Sequence, residues 1–417
     1  MNTILRQRNF ALLWFGGLIS MIGDWVLIVA LPFYIYNLTG STLATGVMLM
    51  AQTLPRILLG SIAGVFVDRW NRKRVMVWGD VSRALLLLLL LLVRNADQIW
   101  LIYAVACIQS SISQFFDPAK NALLPSLVDQ EHLAAANSLN ILNNNLARLI
   151  GPAIGGALLG AYGLASVVSL DSLSFLISGV LIGLIAMPDM GAQRPAAAAS
   201  PDPGTAWMRF WRDWLEGLRL VQRDALISSL FLIGSISAIA EGIFVVLFVA
   251  FVYQGLHAGA LEFGWIMTAQ AVGGVLGSAV IGRIGRVVPP SRMIGLIALN
   301  GSLLIILFNL PSLPLALAIF VAAGVAVVGY STSFFMLLQT SVDNRYRGRI
   351  FGAFGTTNAL LLLLGQGLAG ALGDSIGVIP AINGKGILDI LAGVTGLILL
   401  QRASRLVGQT LTDQPGA

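Results

Sequence analysis

Along the 417 residues, long apolar stretches alternate with short polar or Gly/Pro-containing breaks. A hydrocarbon layer about 30 Å thick needs roughly 20 apolar helical residues. A window of that length finds twelve candidate spans, at 10–36, 43–67, 75–93, 98–117, 138–161, 165–187, 225–253, 262–283, 291–310, 313–338, 348–373 and 378–400. The pattern predicts an all-α membrane protein of twelve transmembrane helices, because a backbone crossing lipid must satisfy its own hydrogen bonds. The run after the polar Met1–Asn9 segment is long enough to span, so no cleavable signal peptide is expected.

The longest polar stretch lies after the sixth span and divides the chain into six plus six. The expected organisation is an N-terminal bundle at 1–187, a cytoplasmic linker at 188–224, a C-terminal bundle at 225–401 and a tail at 402–417. The linker begins Ala/Pro-rich up to Ala206, which reads as a flexible connection. From Trp207 it changes character. Trp207, Trp211, Trp214, Leu218 and Val221 recur at helical spacing with charges on other faces, predicting an amphipathic helix on the membrane surface.

The halves repeat. An offset of 217 pairs Gly17 with Gly234, Ser20 with Ser237 and Ile22 with Ile239. An offset of 218 pairs Gly46 with Gly264 and Gln52 with Gln270, and 214 pairs Gly151 with Gly365 and Gly156 with Gly370. Apolar helices align easily by chance, but a shared offset and order across three helix pairs is hard to obtain that way. Two pseudo-symmetric six-helix bundles form a transporter architecture, with substrate held between the halves near the midplane.

Composition narrows the picture. Hydrophobic residues make up 57% and charged ones 11%, less than half the charge of an ordinary soluble domain, which excludes soluble enzymes and disordered chains. The net charge of +6 does not point to nucleic acid, since that requires a basic patch on a soluble face. The basic residues fall in loops instead: 20 of 25 lie on one side, Arg94 and Lys385 on the other, and Arg56, Arg83 and Arg148 within or at the edges of spans. The bias places both termini in the cytoplasm of a bacterial inner membrane. The single cysteine, Cys107, excludes an internal disulfide and reads as a small buried hydrophobe.

Between spans two and three runs Gly64-Val65-Phe66-Val67-Asp68-Arg69-Trp70-Asn71-Arg72-Lys73-Arg74. Topology accounts for the basic residues alone. Gly64 is expected to allow close helix approach and Asp68 to sit at a helix end. The stretch resembles the G-x-x-x-D-R-x-G-R-R/K signature of the major facilitator superfamily, with Asn71 in place of the usual Gly, a residue tolerant of left-handed turns. The resemblance implies that Asp68, Arg69, Arg72 and Lys73 brace one conformation against the other half; Gly282-Arg283-Ile284-Gly285-Arg286 is a degraded echo. Gly151, Pro152, Gly155 and Gly156 in the fifth span resemble the antiporter motif of drug/proton exporters. With Phe116-Asp117-Pro118-Ala119, Leu124-Pro125 and Arg347-Gly348-Arg349, the chain is similar to the branch containing macrolide and siderophore efflux proteins.

Ionisable residues at bilayer depth are costly and mark function by default. Asp24 lies near the middle of span one and Glu241 near the middle of span seven, one repeat offset of 217 apart. Removal from water favours the neutral carboxyl, which suits a proton carrier, and the ionised form attracts a cation. Structural pairing with Arg56 or Arg148 is the competing account. Asp80, Arg83 and Asp171 read as structural. A cavity lining would draw on Trp25, Tyr34, Gln52, Phe115, Gln270, Phe335, Gln339 and Asn358, each of which ordinary packing would also explain.

The reading is a monomeric secondary transporter, without cofactor or metal, that exports amphipathic cationic or neutral compounds in exchange for protons. It contains no G-x-x-x-x-G-K-[ST] loop for ATP, and Gly365-Gln366-Gly367-Leu368-Ala369-Gly370 lies inside an apolar helix rather than after a strand. Its rivals are a lysophospholipid flippase of the same fold, meeting lipid laterally, and an exporter of an anionic metabolite such as a siderophore, with Arg56 and Arg148 as binders. An intramembrane enzyme is disfavoured, because His132 and His257 stand near loops without a nucleophile or metal constellation.

Overall fold

The computed structural model describes residues 2–186, 203–284 and 288–412. The first part of the expected linker, Arg194 within it, the Gly285-Arg286 end of the motif echo and the last five residues of the expected tail lie outside the described residues. The described chain is nearly all helical. Besides a short turn of helix at Asn2–Leu5 and brief 3-10 turns, six long helices precede the linker among the described residues: α1 (Arg8–Thr39), α2 (Thr42–Val67), α3 (Arg72–Leu88), α4 (Ile99–Leu123), α5 (Leu133–Tyr162) and α6 (Leu164–Gly183). An amphipathic helix follows, α7 (Pro203–Val221), then α8 (Ala225–Gln254), α9 (Ala260–Ile284), α10 (Leu296–Asn309), α11 (Leu313–Ser341), α12 (Arg347–Ile376) and α13 (Val378–Thr412).

Eleven stretches among the described residues are long and apolar enough to cross a membrane. α5 completes the set of twelve long helices; its polar run Asn143-Asn144-Asn145 and Arg148 dilute an otherwise 30-residue helix. The twelve expected spans are therefore all helical, with ends displaced by a few residues except at α13, which continues past residue 400 to Thr412, into the expected tail. α4 continues past the expected boundary to Leu123, with Pro118 inside it.

Two compact units emerge. One contains residues 1–40, 47–210 and 259–268; the other contains 41–46, 211–258 and 269–417. The opening turns of α2 and α9 are thus exchanged between the sets of helices that sequence alone would group. Inside the first unit α1 packs on α5 and α6, and α3 on α4 and α6. Inside the second, α8 packs on α12 and α13, and α10 on α11 and α13. The pairings are the same under the repeat.

Glycine makes this packing close. Gly151 of α5 faces the Ile22 carbonyl and Trp25 of α1; its repeat partner Gly365 of α12 faces the Ile239 carbonyl of α8. Gly156 meets Ala260 and Gly264 at the start of α9, while Gly370 meets Thr42 and Leu43 at the start of α2. Gly264 in turn touches the Pro152 carbonyl, and Gly46 the Gln366 carbonyl. Small residues let backbones approach where lipid supplies no hydrophobic drive between helices. Helix ends repeat as well: Gly163 (φ +73) and Gly377 (φ +90), 214 residues apart, take the left-handed turns that follow α5 and α12.

The start of α2 has a further anchor. Asp374 Oδ1 accepts from the Thr42 amide (2.8 Å) and hydroxyl (2.7 Å), and Oδ2 from the Ser41 hydroxyl (2.7 Å) and Leu43 amide (3.2 Å). The carboxylate satisfies amides that a helix N-terminus leaves unpaired and sits at its positive end.

α7 departs from expectation in its surroundings. Trp214 donates from Nε1 to the Thr357 hydroxyl of α12 (3.1 Å), Glu216 pairs with Arg349 (3.7 Å), and Gly217 presses on Ala353. Trp214 and Leu218 pack on the apolar cluster of the second unit, in which Val221 is buried. Part of the face expected to rest on lipid is therefore covered by protein, leaving Met208 and Leu215 exposed.

Gly64 differs from these packing glycines. An added Cβ there meets nothing within 4 Å, so it does not mediate the close approach expected of it. Gly156→Ala should lower the thermal midpoint of the purified protein, with an overpacking cost of about 1–3 kcal/mol, whereas Gly64→Ala should leave it unchanged. Scanning fluorimetry in detergent compares the two directly.

Candidate functional site

The basic turn after α2 is built locally. Asn71 has extended backbone (φ −72°, ψ 106°), and its side chain accepts from the Arg74 amide (3.0 Å) as the N-cap of α3. It stands there as a cap and not as a substitute glycine in a left-handed turn, since Asn favours the N-cap position. Arg72 Nη1 donates to the Ala122 carbonyl (2.9 Å) at the end of α4, and Lys73 Nζ to the Ile185 carbonyl (2.8 Å) just beyond α6. Both cations thus meet unsatisfied carbonyls at the negative ends of helices in their own unit. Arg72 and Lys73 thus brace helix ends within their own unit. Asp68 and Arg69 are exposed. Arg69, Trp70, Asn71, Arg74, Trp78 and Phe115 line an open cleft of about 590 Å³. Phe115 stacks on Trp70, with centroids 5.9 Å apart, so it belongs to this cleft.

Deeper in the first unit, charge gathers around Asp24. Asp24 is half-buried on α1, and its electrostatic neighbours are Arg83, Asp80, Asp117 and Lys120. The adjacent Gly23 leaves no room for a Cβ beside Asp171 and Ser174 of α6, which brings Asp171 against α1 at the level of Asp24. Asp171 is fully buried, with one oxygen accepting from the Ser174 hydroxyl (3.2 Å) and Oδ2 without a partner. Arg83 pairs with Asp80 at 2.5 Å, and its guanidinium lies between the rings of Phe116 (4.4 Å) and Phe175 (4.3 Å). The rings account for the burial of a cation whose partner carboxylate is also buried. Lys120, read from sequence as a loop cation, lies in the last turn of α4 within this electrostatic group.

Of the two arginines expected to oppose Asp24 and Glu241, Arg148 lies beside Trp25 and Arg56 near Asp117. Arg148 stands over the Trp25 ring, 6.0 Å from its centroid. Arg56 is exposed and interacts electrostatically with Asp117 of α4. Trp25 and Arg148 therefore belong together beside Asp24, through the Gly151 contact that seats α5 against α1.

The second unit has a smaller counterpart. Glu241 on α8 lies 3.7 Å from Lys385 Nζ of α13, and Lys385 also bonds Asp389 one helical turn on (2.8 Å). Asp389 accepts a further bond from Asn300 of α10 (2.7 Å). Lys385, expected on the outer side, is instead the eighth residue of α13 and buried. Two negative partners offset its removal from water. Sequence reasoning missed Asp389, Lys385 and Asn300. The signal was present: Asp389 follows Asp171 by 218 residues and Asn300 follows Arg83 by 217, the offsets already used for the glycines.

Of the other suggested lining residues, Gln52, Gln270 and Gln339 each make a contact through the backbone carbonyl. Tyr34 donates to the Val93 carbonyl (3.2 Å), and the Gln52 carbonyl accepts from Ser110 (2.6 Å). Gln270 presents its carbonyl to Gly324, and Gln339 accepts from Arg347 (3.1 Å). Phe335 is exposed beside Phe334 and Phe354. Asn358 keeps a buried Nδ2 without a partner.

A family model described as Major Facilitator Superfamily matches residues 13–366 and again 230–410. The chain belongs to this superfamily. Its similar relatives include the multidrug efflux pump Tap of Mycolicibacterium fortuitum (27% identity, 95% of this chain and 97% of Tap). Macrolide efflux protein A of Streptococcus pyogenes is 25% identical (89% and 91%), and the uncharacterised MFS-type transporter YfiS of Bacillus subtilis is 30% identical (94% and 93%). Among solved structures, a bacterial ferroportin homologue in an inward-facing state superposes with TM-score 0.72 at 19% identity, covering 95% of this chain and 98% of that one. A POT peptide transporter superposes with TM-score 0.75 at 11% identity, covering 95% of each. These structures share the superfamily's fold, and the chain is a multi-pass membrane transporter of that fold.

The Asp80–Arg83 pair gives a direct stability test. Arg83→Met should cost about 3–5 kcal/mol by stranding a buried carboxylate. Removing both charges in Asp80→Asn/Arg83→Met should cost less than the single change, read as thermal midpoints in a double-mutant cycle.

Proposed function

We propose that the chain is an exporter of amphipathic cationic or neutral compounds, driven by exchange for protons through alternating access of its two repeats. The observation carrying this reading is the repetition of polar groups inside membrane-spanning helices. Asp24, Arg83 and Asp171 on α1, α3 and α6 correspond to Glu241, Asn300 and Asp389 on α8, α10 and α13. Buried ionisable groups are costly enough in a membrane that a duplicated set calls for a function. A carboxyl group at each position can hold a proton in one state and a cation in another. Trp25, partly buried beside Asp24, supplies apolar, aromatic surface at that level.

The names of its efflux relatives support a drug-like substrate, and the distribution of Lys and Arg supports cytoplasmic termini and insertion in the inner membrane. Protons entering from outside would discharge the substrate from Asp24 and Glu241. Their loss to the cytoplasm would restore affinity. The protein acts in this reading as a monomer without cofactor.

Transport by proteoliposomes under an imposed pH gradient tests the mechanism. Asp24→Asn and Glu241→Gln should each lower gradient-driven export of a cationic dye at least tenfold. Full export by both variants would sink the carboxylate mechanism. Gradient-independent movement of a fluorescent lysolipid would replace it with the flippase reading.

A further inference from the structure

The cluster on α8, α10 and α13 is not a closed salt bridge. Lys385 is buried, its side chain 4% exposed, while the side chain of Glu241 is 54% exposed. Asp389 is fully buried and is already committed to Lys385 and Asn300 through Oδ2, with Oδ1 left without a partner. The ammonium is held more closely by Asp389 (2.8 Å) than by Glu241 (3.7 Å). Two carboxylates share one cation, so with all three ionised the group carries one excess negative charge. That excess sits at the exposed end, on Glu241. Phe244, itself buried and stacked on Phe248, places its ring 5.4 Å from Nζ and helps hold the ammonium there.

We propose that Glu241 is a binding carboxylate for an organic monocation and that Lys385 is its built-in competitor. In the unloaded protein the ammonium leans between the two acids. An arriving cation takes Glu241, and Lys385 withdraws to Asp389, whose free oxygen and short contact hold it without moving the helix. The arrangement gives the site a stand-in ligand. Glu241 never faces an empty apolar surface as a bare charge, and only a cation able to outbid a tethered ammonium binds. Permanently charged lipophilic cations fit best. They carry weakly hydrated, delocalised charge, whereas small hydrated cations must first shed water. The repeat counterpart of Asn300 behaves differently: Arg83 is enclosed by Phe116 and Phe175 and paired with Asp80, so it is not free to lean toward a second acid.

The inference rests on reading Glu241 as a substrate-contacting carboxylate but requires no gradient. Equilibrium binding of radiolabelled tetraphenylphosphonium to the purified protein in detergent therefore tests it apart from proton coupling. Lys385→Met should tighten binding about tenfold, equivalent to about 1.4 kcal/mol. Because that change strands a buried aspartate, Lys385→Met/Asp389→Asn removes both charges and should show the same gain in a protein with a normal thermal midpoint. Glu241→Gln should weaken binding at least tenfold. Unchanged affinity in the Lys385→Met/Asp389→Asn protein, or wild-type affinity in Glu241→Gln, would overturn the proposal. Should binding follow these expectations while export ignores a pH gradient, the cation site stands and proton antiport falls.

Discussion

Close backbone approach at glycine organises this transporter. In lipid, a leucine side chain gains little by turning from a hydrocarbon tail to a neighbouring helix, so association depends on shape. Gly151, Gly155 and Gly156 bring α5 into backbone contact with α1 and the start of α9, and Gly365 and Gly370 do the same for α12 with α8 and the start of α2. The charged clusters depend on these contacts. Asp171 reaches the level of Asp24 because Gly23 presents no side chain, and Trp25 meets Arg148 because Gly151 lets α5 settle against it. Small residues thus set where large and charged ones meet.

Within that framework the repeats have diverged chemically. The first unit carries Asp24, Asp80, Asp117 and Asp171 around Arg83 and Lys120. The second keeps three polar positions in register but replaces Arg83 with Asn300 and adds Lys385 from a position where the first has an apolar residue. One unit holds Arg83 in an aromatic clamp; the other leaves Lys385 between two acids. A duplicated fold has acquired two electrostatic centres of unequal rigidity.

Much of the fold was legible in the sequence because the constraint that shapes it, a twenty-residue apolar period, is local. The repeat was legible because glycines cannot be exchanged freely where backbones touch. Asp24 and Glu241 stood out through their isolation in apolar runs. Lys385 did not, because it lies near the end of a loop-flanked span, where a cation ordinarily reads as a marker of topology. Its burial is decided by Asp389 on the same helix and Glu241 on another, and only the packed helices bring those groups together. Asn71 was misread for a related reason: its role depends on the Arg74 amide it caps, whereas the motif alone presents it as a missing glycine.

The anchoring of Thr42 by Asp374 has a consequence for biogenesis. The two residues are 332 positions apart, so the amides at the start of α2 leave the ribosome long before the carboxylate that will receive them. Gly156 likewise waits for the Ala260 and Gly264 backbones, made only after the linker. The early helices must therefore enter the bilayer with these seams unfilled and complete their packing only after α9 and α12 are made. A chain cut before Asp374 would leave the start of α2 without its anchor, more than three hundred residues from the cut.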